Sequence, residues 1–292
     1  MYALSVIIVN YNSGELLKRC LNSLRCFLTG VSHEICVVDN TSSDGSVPLA
    51  QREFPHVRWI VNPSNLGFAA ALNLGLRATS GRYILWLNPD AELLNSGMAE
   101  LIRYLDQNPS VGILGPLLVN PDGSRQLSCR SFPSYRTALF HRYALLTRLF
   151  PGNPYSRQYL HSGRYSETIH DVDWVSGACL LHRREVAERL GGLDERFFMY
   201  CEDVDFCLRA RRAGWTTQHH PGARVLHYIG VSSRHAAVRM IAERHRSLWR
   251  YYRKHFHPNP LKDLAVGPAI AARCGLQLAQ NAIIERWPSM LR

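Results

Sequence analysis

Short, continuously apolar runs recur along the first third of the chain, and each stops abruptly in Asn or Asp. LSVIIV begins at Leu4, EICVVD at Glu34, VRWIV at Val57 and RYILWL at Arg82. Runs of this length, apolar at successive rather than alternate positions, are the pattern of strands covered on both faces, as in a parallel sheet. Between them the period changes. Leu16, Leu17, Cys20, Leu21, Leu24 and Leu28 recur at helical spacing behind the capping residues Asn12 and Ser13, and LGFAAALNLGLRAT from Leu66 reads as a second helix. Alternation of this kind predicts an α/β fold, a mainly parallel sheet flanked by helices, in which ligands gather at the carboxyl ends of the strands.

Those ends are polar: Asn10-Tyr11-Asn12, Asp39-Asn40, Asn62 with Asn65, and Asn88-Pro89-Asp90. Asn and Asp form turns readily, which explains any one of them. Four on a single sheet edge point to a ligand site.

The texture then changes. Between Ser124 and Ser166 there are seven arginines and no acid, with interspersed aromatics and prolines. This predicts an irregular excursion over the surface, either an acceptor loop or a solvated cover. VDWVSGACLLHRR resumes as strand into helix, ARVLHY reads as one more strand, and Ala236 to Phe256 as a basic helix.

At 292 residues the chain can bury a sizeable core. The N-terminal run meets polar Asn10 quickly and has no basic leader, so a buried strand is expected there and not a signal peptide. No stretch reads as a membrane-spanning helix. Eight cysteines without a CxxC pair are expected to be reduced, which fits a cytoplasmic protein. The net charge of +11 is uneven: residues 224–292 hold 12 Lys/Arg against 3 Asp/Glu, while residues 1–124 hold 8 against 10. A basic tail suits an anionic membrane surface, a phosphorylated substrate or nucleic acid, and composition does not choose among them.

Two stretches carry candidate chemistry. In LWLNPDAEL a strand delivers Asp90 at its end, with Asn88 on the same side because strand side chains alternate. A carboxylate and an amide oxygen so placed can hold Mg²⁺ or Mn²⁺, or simply end the strand in a turn. In YCEDVDFCLRARRAGW three carboxylates, Glu202, Asp203 and Asp205, precede a helical, arginine-rich segment. An acidic first turn gains about 0.3–1 kcal/mol from the helix dipole, which accounts for Asp205 without further function. Neither GxGxxG nor GxxxxGK[ST] nor GxSxG occurs, which removes the main support for a dehydrogenase, a P-loop NTPase or an α/β-hydrolase. From the residues alone, a nucleotidyltransferase on a similar sheet and a non-catalytic nucleic-acid-binding protein remain open alternatives.

Seven ordered motifs, SVIIVNYN, VVDNTSSDGS, NPSNLGFAAALNLG, YILWLNPDAEL, WVSGACLLHRR, GGLDERFFMYCEDVDFCLRARRAGW and HYIGVSS, together resemble the family 2 glycosyltransferases of the GT-A fold. Within that family the similarity is to bacterial rhamnosyltransferase-like members that build surface polysaccharides. The resemblance implies a Rossmann-like GT-A domain over residues 1–233 and a basic C-terminal helical extension over 234–292. It implies inverting, metal-dependent transfer of a sugar, with rhamnose from dTDP-rhamnose preferred. The acceptor is a saccharide or lipid-linked saccharide, with no nucleic acid partner. Localisation is implied to be cytoplasmic, with peripheral contact to anionic lipid at the inner face of the plasma membrane. For donor binding it designates Asn10, Tyr11, Asp39, Asn65, Asn88, Asp90, Ser232 and Arg234. Asn88 stands where the family's DxD motif has its first Asp, leaving Asp90 as the metal ligand, with His227 completing the shell around Mg²⁺ or Mn²⁺. Asp203 matches the general base, which takes the proton of a weakly nucleophilic hydroxyl. Glu202 would orient the base or bind the acceptor. Trp174 is either core or an acceptor platform, with Gly177 letting a sugar approach the backbone.

Overall fold

The computed structural model describes residues 2–134, 167–229, 237–257 and 259–286. Most of the arginine-rich excursion, both Ser232 and Arg234, and the tail around Trp287 lie outside the described residues.

The predicted alternation is realised as β1 (Leu4–Asn10), α1 (Glu15–Phe27), β2 (His33–Asp39), α2 (Ser46–Glu53), β3 (Arg58–Val61), α3 (Phe68–Ala78) and β4 (Tyr83–Leu87). Next come β5 (Ala91–Leu93), α4 (Met98–Gln107), β6 (Val111–Val119), β7 (Cys129–Arg130), β8 (His170–Val172), β9 (Trp174–Val175), β10 (Cys179–Arg183) and α5 (Arg184–Leu190). The described chain ends with α6 (Glu202–Arg212), β11 (Thr216–His227), α7 (Ala237–His255) and α8 (Pro260–Arg286).

The main sheet runs β3-β2-β1-β4-β10-β6-β11-β5, with β8 also on β11. Both faces are covered. Leu4, Val6 and Ile8 of β1 pack with Leu17, Leu21 and Leu24 of α1, while Ile7 and Val9 point the other way, into a cluster with Leu72, Phe206 and Tyr251. Two-sided burial is why the strand runs carry no polar alternation. β1 to β4 are parallel, as expected, and so are β6 and β11. The second half departs from a parallel sheet: β10 is antiparallel to both β4 and β6, and β5 and β8 are antiparallel to β11. The reversal has a use. Because Cys179 pairs with Leu87, the start of β10 lies at the carboxyl end of β4, and the Asn88 N–H donates to the Ala178 carbonyl at 2.9 Å. Ser176-Gly177-Ala178 is thereby delivered to the same edge as Asn88 and Asp90.

All eight cysteines are free thiols. The basic helix expected over Ala236 to Phe256 is α7, and it is held to the sheet domain through Asp205. That carboxylate is fully buried and meets Arg209 Nε at 2.7 Å, Lys254 Nζ at 2.6 Å and His255 Nε2 at 2.7 Å. A guanidinium only donates, so Arg212, 3.0 Å from His255 Nδ1, leaves the His255 proton on Nε2 to be given to Asp205. Burial alone would raise the Asp205 pKa, but the His255 hydrogen bond and the charges of Arg209 and Lys254 outweigh it and hold it below the usual carboxylate range. The expected helix-dipole role is therefore the smaller part of what Asp205 does.

Removing the carboxylate takes from Arg209 and His255 their only anion among the described residues, while Lys254 keeps Asp194 at 2.7 Å. Asp205→Ala should therefore cost about 3 kcal/mol in urea unfolding at pH 7, the lower end for a broken buried pair. A carboxyl with a depressed folded pKa contributes above its unfolded value of about 3.9 and loses that contribution as pH falls. The gap between wild type and the variant should accordingly narrow below pH 4.

Candidate active site

The carboxyl edge of the sheet, the Phe198–Glu202 turn and the start of α7 enclose a cleft of about 330 Å³. Asp90 and Asp203, remote in sequence, both line it.

One wall is built by β4, β5 and β11. β5 pairs with β11 so that Ala91 faces His227, and the Tyr228 N–H donates to the Asp90 carbonyl at 2.9 Å. This ladder sets His227 Nε2 at 3.5 Å from Asp90 Oδ1. On the other side of the imidazole, Nδ1 lies 2.9 Å from Gln126 Oε1. Asn88 lines the same wall. Among the described residues, no cluster of three or more His, Cys, Asp or Glu side chains gathers in metal-binding geometry. The Asp90 and His227 pair supplies two donors, which fits a hard cation that fills its other positions with water and diphosphate oxygens.

The opposite wall is the start of α6, and it separates the acid pair. Asp203 Oδ2 accepts from the Gly177 N–H at 3.1 Å and Oδ1 from the Val204 N–H at 2.8 Å. Glu202 is 7% exposed, and its Oε2 finds no hydrogen-bond partner among the described residues. Desolvation and the neighbouring Asp203 charge push the Glu202 pKa well above the carboxylate range. Burial raises Asp203 too, against the pull of its two N–H donors. The surroundings thus favour the charged form at Asp203, with its two N–H donors, over the charged form at Glu202. The turn before them is strained: Tyr200 and Cys201 hold φ of 69° and 67°, in the left-handed region that side chains disfavour. α7 braces this turn, with Ser247 Oγ donating to the Met199 carbonyl at 2.8 Å. Arg239 and Arg244 lie over the Phe198 and Tyr200 rings, each at 4.9 Å, and also line the cleft.

The floor is closed by the entry to α3. Asn65 Oδ1 accepts from the Gly67 N–H at 3.0 Å, and the Phe68 N–H donates to the Phe198 carbonyl at 2.6 Å. Gly67 has φ of 86°, and a Cβ there would stand 2.5 Å from that carbonyl oxygen, so only glycine fits.

Of the expected site residues, the cleft brings together Tyr11, Asn65, Asn88, Asp90, Gly177, Glu202, Asp203 and His227. Asn10 and Asp39 are not in its lining. Both are buried beneath it, where Asp39 accepts from Asn10 Nδ2 at 2.8 Å and from the Ser42 N–H and Oγ at 2.9 and 2.5 Å. These hydrogen bonds hold the β1 and β2 ends together. Trp174 takes the core side of its alternative: it is 7% exposed, and its indole N–H donates to the Ser131 carbonyl at 2.9 Å. Asn40, one of the polar strand ends, also lines the cleft, whereas the sequence pattern does not single out Gln126, Arg239 or Arg244. A glutamine in a loop and arginines in a basic helix carry no periodic signal of their own.

A family model described as glycosyl transferase family 2 matches residues 5–191. An N-acetylglucosaminyl-diphospho-decaprenol L-rhamnosyltransferase of Mycobacterium tuberculosis is 34% identical over 257 residues, covering 84% of this chain and 82% of that protein. The rhamnosyltransferase WbbL of Escherichia coli is 25% identical, covering 84% of this chain and 91% of its own length. Among solved structures, the mannosyltransferase PcManGT from Pyrobaculum calidifontis, in complex with GDP-Man and Mn²⁺, superposes with a TM-score of 0.59 at 18% identity. The superposition covers 100% of this chain and 76% of the mannosyltransferase, a likeness of fold.

The buried Glu202 carboxyl, whose Oε2 has no partner among the described residues, makes a prediction about stability. Its folded pKa is raised, so it favours the folded state fully below the unfolded value of about 4.3 and loses that benefit as pH climbs. Glu202→Gln should raise the melting temperature at pH 7.5 and give little gain near pH 4, measured by calorimetry across that range.

Proposed function

Because the chain belongs to glycosyl transferase family 2, we propose that it moves rhamnose from dTDP-rhamnose to a hydroxyl of a saccharide or lipid-linked saccharide, inverting the anomeric centre. The coarser statement needs no proposal: the protein is a nucleotide-sugar glycosyltransferase of polysaccharide synthesis. Family membership displaces the alternatives of a nucleotidyltransferase and of a non-catalytic protein. Rhamnose as the sugar is supported by the names of the relatives, and a diphosphate-linked lipid acceptor by that of the mycobacterial one.

The observation that carries the mechanism is that Asp90 and Asp203 line one sugar-sized cleft. The donor lies with its diphosphate toward Asp90 and His227 and its nucleoside toward Tyr11 and Asn65. Asp203 accepts the proton of the acceptor hydroxyl as that oxygen attacks the anomeric carbon. The bond from that carbon to the diphosphate oxygen breaks on the far face, the electron pair leaves with the nucleoside diphosphate, and the configuration inverts. Glu202, protonated, donates a hydrogen bond to the acceptor sugar and leaves Asp203 as the base. Asp90 and His227 would hold Mg²⁺ or Mn²⁺, with Asn88 beside them. When bound, the cation offsets the charge that builds on the departing diphosphate. The cation is supported by the Mn²⁺ in the mannosyltransferase of like fold.

The proposed partner surface is α8. No helix among the described residues is long and apolar enough to cross a membrane. Yet the outer face of α8 exposes Leu261, Leu264, Leu276 and Ile283, each more than half exposed, with alanines between them. α8 itself carries Lys262, Arg273 and Arg286 against Asp263 and Glu285, within a segment, residues 224–292, that holds 12 Lys/Arg against 3 Asp/Glu. An anionic bilayer complements that excess where a second copy would repeat it. The site and this face fit a peripheral enzyme at the inner leaflet that works on a lipid-linked acceptor.

Asp203→Asn should lower transfer by about 10²–10⁴-fold while dTDP-rhamnose binding stays unchanged in calorimetric titration. A variant near the parent rate removes Asp203 as the base. Leu264→Glu with Leu276→Glu should abolish partition onto vesicles containing phosphatidylglycerol. Self-association in sedimentation without vesicle binding would assign the face to a second copy instead.

A further inference from the structure

We infer that Gln126 is the positioning residue for His227, fixing both the ring and the tautomer that present Nε2 to the Asp90 side of the cleft. The inference rests on the reading of Asp90 and His227 as ligands of a divalent cation. Gln126 is 6% exposed and sits in the loop after β6. Its Nε2 donates to the His227 carbonyl at 2.6 Å and to Asn120 Oδ1 at 2.9 Å, with the Val119 carbonyl at 3.3 Å. Two of these three acceptors are backbone oxygens, which cannot exchange roles. Turning the amide over would set its own oxygen against them, so its orientation is forced.

It follows that Gln126 Oε1 is the atom facing His227 Nδ1 at 2.9 Å, and an oxygen without a hydrogen there requires Nδ1 to carry the proton. In the neutral ring Nε2 then holds the lone pair, 3.5 Å from Asp90 Oδ1. A lone pair beside a carboxylate oxygen is an arrangement suited to sharing a cation. One side chain thus grips the backbone and the ring of His227 together, and residues that orient a ligating histidine in this way typically govern metal affinity about 10–100-fold.

The test uses the full chain with dTDP and Mn²⁺, following free Mn²⁺ by electron paramagnetic resonance, and reads the His227 tautomer without metal from imidazole nitrogen shifts. Wild type should show the Nδ1–H form. Gln126→Leu should shift His227 toward the Nε2–H form and weaken Mn²⁺ binding about 10–100-fold. Gln126→Glu, which still accepts from Nδ1–H, should keep the tautomer, while its second oxygen, set against the His227 carbonyl, loses the grip on the backbone and weakens Mn²⁺ binding. Asp90→Asn and His227→Ala serve as references. If both references lose Mn²⁺ while Gln126→Leu binds like wild type and retains the Nδ1–H form, the inference is overturned. If the references also leave Mn²⁺ binding unchanged, the cation reading has failed, and the metal-free tautomer still decides the part played by Gln126. Should Gln126→Leu fail to fold, an Nε2–H ring in wild type overturns the inference by itself.

Discussion

A carboxylate removed from water must be matched by cations, and at Asp205 the match is drawn from two helices. Arg209 comes from its own helix α6, one turn on, while Lys254 and His255 come from the end of α7. The cost of leaving any member unpaired in a dry environment is what ties the basic helix to the sheet domain. Since α7 carries Arg239, Met240 and Arg244 at its other end, the same anchor sets one wall of the cleft. A charge cluster far from the chemistry therefore shapes the space in which the chemistry takes place.

Neighbouring acids in one helical turn have three different fates because the protein surrounds them differently. Asp203 keeps two backbone donors, Glu202 keeps none on Oε2, and Asp205 is neutralised by side chains. Electrostatics divides the labour among chemically similar groups: burial disfavours charge at one, backbone donors favour it at the next, and a structural bridge forms at the third. The strained Tyr200-Cys201 turn and the buried Glu202, whose Oε2 has no partner among the described residues, both cost stability, and both stand at the reacting edge, where such costs concentrate.

Much of the fold was legible because two-sided burial writes itself as unbroken apolar runs. β1, β2 and β4 are each announced by one, and the polar residues at their ends lead to the cleft edge; β3 carries the same kind of run but stands at the sheet edge, with Arg58 and Val61 exposed. β6 is buried at all nine of its positions but was not picked out, since Gly112, Gly115 and Pro116 interrupt the β-branched pattern that marks a strand. Gly115 is small because a Cβ would meet Val175 Cγ1 at 2.5 Å, a packing requirement that no local pattern reveals. The direction of β10 was equally unreadable, because pairing sense depends on where the chain returns and not on its composition. Within the site, motif order led to Asp90, Asp203 and His227, but it could not separate residues that face the cleft from Asn10 and Asp39 beneath it. That distinction rests on a few hydrogen bonds, and strand pattern is silent about those.

The seam between Gly67 and Phe198 joins parts of the chain far apart in sequence with no room to spare. Its tightness comes from backbone against backbone, so no neighbouring substitution can open space by choosing a smaller side chain. Evolution can retune the sugar preference of such an enzyme by exchanging residues around the rim, but this junction tolerates no drift. Lineages that diverge in acceptor or donor must therefore carry the same glycine through the change, or rebuild both segments at once.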